Sequence, residues 1–252
     1  MLNVPTLWTA FVINFLSLGL IWAYILHSYP TLKAARYWTG SALALAAGSL
    51  IATLTTVTDS LVPLLFGGTM VVFATSLTAM GIRRFYGEPV LWRQTVALTA
   101  LTFAGLSIFM FGYDSATARI LIFSVAQALP LALSLKLLLS KQDGRANAGA
   151  RLAAGVAMAI IATCAFRALS KLLQIGTDFT FTHFNAPQSI MILALLFLSM
   201  VFNFGFLLMA MDRLRNEVAD LALMDDLTGV GNRRQLLQRQ IGRASCRERV
   251  CR

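Results

Sequence analysis

Arg167 and Lys171 stand four residues apart in the apolar stretch 151–173, so a helix there carries both cations on one face. Paired cations on a helix face are chemistry for an anion, and ionisable side chains within a membrane span commonly mark a ligand or ion site. With Arg151 at the inner surface, Arg167 lies about 24 Å and Lys171 about 30 Å along that helix, near its outer end. Two uses fit the position: a site for an external anionic signal, or a pair of side chains that snorkel to the outer headgroups. His27 and His183 lie in separate stretches with no second imidazole nearby in sequence, and each reads as a polar anchor at the membrane surface. Cys164, Cys246 and Cys251 have neither metal-ligand nor disulfide spacing, and no metal site follows from the sequence. Near the C-terminus Asp225 and Asp226 form an adjacent pair of carboxylates. After them Thr228-Gly229-Val230-Gly231 breaks a helix, and Asn232 with Gln235 forms a capping box that starts another.

The elements that position these groups follow from composition. Hydrophobic residues make up 58% of the chain and charged residues 13%, against roughly 45–50% and about 25% in soluble domains. A soluble globular protein is excluded, and the expected fold class is an all-α polytopic membrane helix bundle. Apolar runs at about 7–28, 37–57, 61–82, 92–112, 117–139, 151–173 and 188–211 each approach or exceed the ~18–20 residues that cross a bilayer, giving seven transmembrane helices. The first run has no basic segment before it and is too long for a removable signal peptide.

Charge sets the direction. The net charge of +10 does not point to nucleic acid, because the basic residues gather on alternate loops. Lys33 and Arg36, then Arg83, Arg84 and Arg93, then Lys141, Arg145 and Arg151, then Arg213 and Arg215 fall on one side. The other side carries Asp59, then Asp114 with Arg119, then Asp178 with His183. The positive-inside rule then places the N-terminus outside and the C-terminus in the cytoplasm.

Within the bundle, Gly40, Ala44 and Gly48 form a small-residue stripe suited to close helix packing. Asn14 and Asn203 are placed to hydrogen-bond between helices, and Pro130 interrupts the fifth run as a packing feature or a hinge. The seventh run contains no lysine, so a retinal Schiff base of the rhodopsin kind cannot form there.

Beyond that run Met211, Leu214, Val218 and Leu221 make one a/d stripe, fitting either a short parallel coiled coil or the solvated end of the seventh helix. The string "ALMDDLTGVGNRR" follows. It resembles the opening motif of GGDEF-domain diguanylate cyclases, A-x-x-D-x-L-T-G-L-x-N-R-R, matched by Ala222, Asp225, Leu227, Thr228, Gly229, Asn232, Arg233 and Arg234, with Val230 in place of leucine. The resemblance implies a bacterial inner-membrane enzyme, a homodimer through residues 211–221, that joins two GTP into cyclic di-GMP with magnesium. In that family the metal ligands lie in a D-x-D-x-F-K stretch and a GG[DE]EF hairpin, and neither string occurs here. The opening motif joins the incoming helix to the catalytic fold, so the resemblance makes Asp225 and Asp226 structural rather than catalytic.

The terminal "IGRASCRERVCR" has neither helical periodicity nor strand alternation, and its first ten residues resemble one reading frame of a sequencing adapter. The expected organisation is a seven-helix sensory region at 1–211, a signalling linker at 212–224, the truncated start of a GGDEF domain at 225–240, and a non-native tail at 241–252. On this reading the lipid bilayer is the surrounding partner, nucleic acid is not one, and GTP and magnesium belong to the intact parent alone. The chain itself carries no catalytic residue and no cofactor and is expected to be inactive. The competing expectations are a seven-helix receptor or transporter without an enzymatic domain, and a degenerate GGDEF protein that binds cyclic nucleotide without making it.

Overall fold

In the computed structural model residues 4–58, 60–140, 147–173 and 186–221 are described, and every regular element among them is helical. In chain order these are α1 (Val4–Ser28), α2 (Ala35–Thr53), the short α3 (Thr55–Thr58), α4 (Val62–Phe85), α5 (Trp92–Ser107), α6 (Ala116–Leu138), α7 (Ala148–Leu172) and α8 (Ala186–Leu221). A π-helical turn, Ile108–Gly112, extends α5. The seven long helices fall on the seven apolar runs. Lys141, Arg145, Asp178, His183, the motif residues from Ala222 to Arg234 and the tail 241–252 lie outside the described residues.

Six of the long helices are long and apolar enough to cross a membrane. The exception is α2. Ten of its 19 residues are buried, whereas α5 buries only Thr95, Thr102 and Leu106. Helix α4, with 13 of its 24 residues buried, is enclosed to the same degree and is still apolar enough to cross; close approach between the two helices needs small residues. Accordingly α2 carries Gly40, Ser41, Gly48 and Ser49.

The chain divides into two compact units, Met1–Phe206 and Leu207–Arg252. In the first unit α2 packs between α1 and α4. At the α2–α4 crossing Gly48 meets Gly67: a Cβ on Gly67 would lie 2.7 Å from the Gly48 carbonyl oxygen and 2.9 Å from Ala52 Cβ. Two turns away the Ser41 hydroxyl donates to the Ala74 carbonyl at 2.7 Å and pairs with Thr78 Oγ1 at 2.7 Å. Gly40, the other glycine of the expected small-residue stripe, makes only an ordinary contact with Leu77.

Towards the N-terminal end of α2, Trp38 lies flat on Phe206 of α8, with centroids 4.6 Å apart and planes within 4°, and tilts against Trp22 of α1 at 4.7 Å. All three side chains are fully buried. The Trp38 indole presses on Gly81 so closely that a Cβ there would collide with it, and its N–H finds no acceptor among the described residues. Trp22 instead donates to Asn203 Oδ1 at 2.9 Å, and Asn14 Nδ2 donates to Ser199 Oγ at 3.3 Å. Both asparagines thus bond between α1 and α8.

The helix ends are determined locally. At the end of α4, Gly87 adopts φ +80°, its N–H donates to the Arg84 carbonyl and that of Glu88 donates to Arg83. These bonds form a Schellman motif, which requires a residue that tolerates the left-handed region. Helix α6 starts on the Ser115 side chain, which accepts from Ala118 N, and α7 on Asn147, which accepts from Ala150 N. Pro130 lies inside α6, which remains one helix through it.

The α2–α4 contact yields a test. Gly67→Val should cost about 1–3 kcal/mol through overpacking and lower the thermal midpoint of the detergent-solubilised protein by several degrees. Gly155→Ala on α7, where a Cβ meets open space, should leave that midpoint unchanged or slightly raised. Equal midpoints for Gly67→Val and the wild type would contradict the contact.

Candidate functional site

The buried stripe of α7 runs Ala153, Ala157, Ile160, Cys164. Its steps of four, three and four are those of a helix seated in a bundle, and the next step is Arg167. The guanidinium therefore points inward, and the residue is only 5% exposed. Arg167 does not snorkel.

Its partners come from α6. Nε and Nη2 of Arg167 both donate to Ser124 Oγ, at 3.1 and 3.0 Å, and the guanidinium carbon sits 5.0 Å from the centre of the Phe123 ring. One turn back along α7, Cys164 Sγ donates to Gln127 Oε1 at 3.6 Å. Ser124 with Arg167 and Gln127 with Cys164 are two rungs of one antiparallel ladder. Each rung sets the other's register.

The site lacks a counter-charge among the described residues. Among the described residues the ion pairs are Arg83 with Glu88 and Arg119 with Asp114, and neither involves Arg167. A buried charge held by one neutral hydroxyl and one ring face is incompletely compensated, because desolvation costs several kcal/mol per ion. Of the three guanidinium nitrogens, Nη1 has no partner among the described residues.

Arg167 lines a cavity of about 180 Å³ inside the first unit. Its walls are mainly aromatic and aliphatic, with Phe11, Phe15, Leu45 and Phe202 among them. Most of its polar groups are already engaged: Ser41 and Thr78 bond each other and Ala74, and Asn203 accepts from Trp22 while donating to the Ser199 carbonyl at 2.9 Å. Besides the Trp38 N–H, the free polar capacity includes Arg167 Nη1 and the amide nitrogen of Gln127, whose oxygen accepts from Cys164. Both are donors.

A second cavity, of about 240 Å³, lies between α4 and the π turn and reaches Arg119. That cation is already engaged, since its Nη1 pairs with Asp114 and donates to the Phe109 carbonyl at 2.9 Å. The Phe109 carbonyl also accepts from Ser115 N at 3.3 Å.

Of the residues singled out in sequence, the structure brings Arg167 to a cavity but not Lys171, which is half-buried one turn further on and does not line it. His27 is exposed in the last turn of α1. Among the described residues no three metal-ligating side chains cluster. The motif residues Asp225, Leu227, Thr228, Gly229, Asn232, Arg233 and Arg234 lie outside the described residues. Sequence reasoning missed Ser124 and Gln127, although two polar residues three apart in an apolar span share a helix face and signal an inward-facing partner.

Removing the acceptor tests the ladder. Ser124→Ala should destabilise the bundle by about 1.5–3 kcal/mol, the range for hydrogen bonds to a charged group. Adding Arg167→Met should recover part of that loss, since the uncompensated charge goes with it. Strictly additive losses in unfolding titrations of the single and double variants would contradict the arrangement. No protein-family model, curated protein or solved structure matches the chain.

Proposed function

We propose that the chain is the membrane-spanning sensory region of a bacterial diguanylate cyclase. The observation that carries this reading is "ALMDDLTGVGNRR", in which Ala222, Asp225, Leu227, Thr228, Gly229, Asn232, Arg233 and Arg234 resemble the opening motif of a GGDEF domain. That string directly follows α8.

The helix before it has the form a signalling link needs. At 36 residues, α8 is about 54 Å long, against ~30 Å of hydrocarbon. Its polar end carries Asp212, Arg213 and Arg215, and Met211 and Val218 of its apolar seam are 65% and 66% exposed. An exposed a/d seam suits a second copy of the same helix, and the proposed dimer forms through residues 211–221. Pairing the helices brings two GGDEF domains together, as the joining of two GTP requires.

In the membrane the proposed arrangement has seven spans, α2 being an enclosed one. The N-terminus lies outside and Arg36, Arg83, Arg84 and Arg213 lie in the cytoplasm, as the loop charges favour. The chemistry belongs to the parent's downstream residues, where magnesium neutralises phosphate charge and aligns the reacting groups. Residues 1–252 contain neither carboxylate string of the family, and the chain by itself is inactive on this reading.

The experiment is a chimera. Residues 1–234 joined in frame to the remainder of a soluble, active GGDEF domain should give membranes that convert GTP to cyclic di-GMP with magnesium. The chain 1–252 should give none under the same conditions. A chimera that inserts and dimerises yet makes no product would sink the reading and favour a receptor or transporter, for which the cavity beside Arg167 is the supporting feature.

A further inference from the structure

We propose that the cavity beside Arg167 binds one small monocarboxylate whose body is a single ring or a short acyl chain, of about benzoate size. Charge selects the headgroup. Arg167 is the only ionisable lysine, arginine, histidine, aspartate or glutamate among the residues lining the cavity, so one negative charge neutralises it. A phosphate monoester or a dicarboxylate leaves surplus negative charge in the bundle, and a cation adds to the positive one.

Hydrogen bonding selects in the same direction. Arg167 Nη1 and the Gln127 amide nitrogen are donors with spare capacity on adjacent rungs of the α6–α7 ladder, and a carboxylate offers two acceptor oxygens. The remaining walls select the body. Phe11, Phe15, Leu45 and Phe202 offer no polar partner for a sugar or a peptide. An apolar protein cavity of about 150 Å³ takes benzene, so about 180 Å³ has room for one ring with a carboxylate. Chloride would match the charge but leave that apolar volume empty. The site stands on this geometry alone, and only the further identification of its occupant as the sensed signal rests on the cyclase reading.

The full chain in lipid nanodiscs provides the test, because Trp8 and Trp38 line the cavity and their fluorescence reads occupancy. Titration with benzoate should give a saturable change. Benzyl alcohol, a neutral relative of similar size, should bind about tenfold more weakly, the effect of losing one charge-assisted bond. Chloride at matched ionic strength should not compete. Arg167→Gln keeps a donor for Ser124 and removes the charge, so it should weaken benzoate about tenfold and leave benzyl alcohol unchanged. Ala42→Phe fills the cavity from α2 without touching Arg167, and should abolish the response to both.

No saturable benzoate response in the folded wild type overturns the proposal. So does equal affinity for benzoate and benzyl alcohol, displacement of benzoate by chloride, or unchanged benzoate affinity in Arg167→Gln. If Arg167→Gln fails to insert, the comparison of benzoate with benzyl alcohol on the wild type decides alone. None of these readouts involves cyclic di-GMP, so failure here leaves the cyclase reading standing, and an inactive chimera leaves the site standing.

Discussion

Helices α2 and α4 are held together by close contact and a few polar bonds, the means by which helices pack where hiding apolar side chains from water gains little. Gly48 against Gly67 and Gly81 beneath Trp38 supply the contact, and the Ser41–Ala74–Thr78 cluster supplies the bonds. The rest of the first unit is arranged about that seam. Because α2 sits so close to α4, the Trp38 ring reaches both Trp22 and Phe206, which ties α1 and α8 to the same centre. The cavity is the counterpart of this tight packing, bounded on one side by Ser41, Leu45 and Ser49 of α2.

Opposite that wall the ladder between α6 and α7 holds a charge where lipid would not tolerate one. A cation inside a span is costly, and a protein that keeps one there turns it toward other protein groups or toward a ligand. Arg167 has Ser124 and Phe123, which engage two of its nitrogens and one face of the guanidinium, and no counter-charge among the described residues. Arg119 is the contrast: its guanidinium is paired with Asp114 and closes the π turn, so its role is structural.

Much of the fold was legible because membrane helices announce themselves as blocks, and the seven long helices lie on the seven apolar runs. Other features were hidden for physical reasons. The central place of α2 depends on which neighbours enclose it, and its own periodicity does not carry that. The inward turn of Arg167 was readable from the stripe Ala153, Ala157, Ile160, Cys164, whereas charge alone could not separate it from Lys171. Its partner Ser124 depends on the register between two helices, which no single-helix periodicity carries. The π turn at Ile108–Gly112 left no mark in composition.

On the proposed reading the cavity would hold the signal, and α8 ends at the residue before the GGDEF-like string. The central claim is that this string opens a catalytic domain, and sequencing the source gene through codon 240 tests it most directly. The account predicts one uninterrupted frame that runs on to D-x-D-x-F-K and then GG[DE]EF. Intact genomic DNA that encodes "IGRASCRERVCR" and then a natural stop would contradict it.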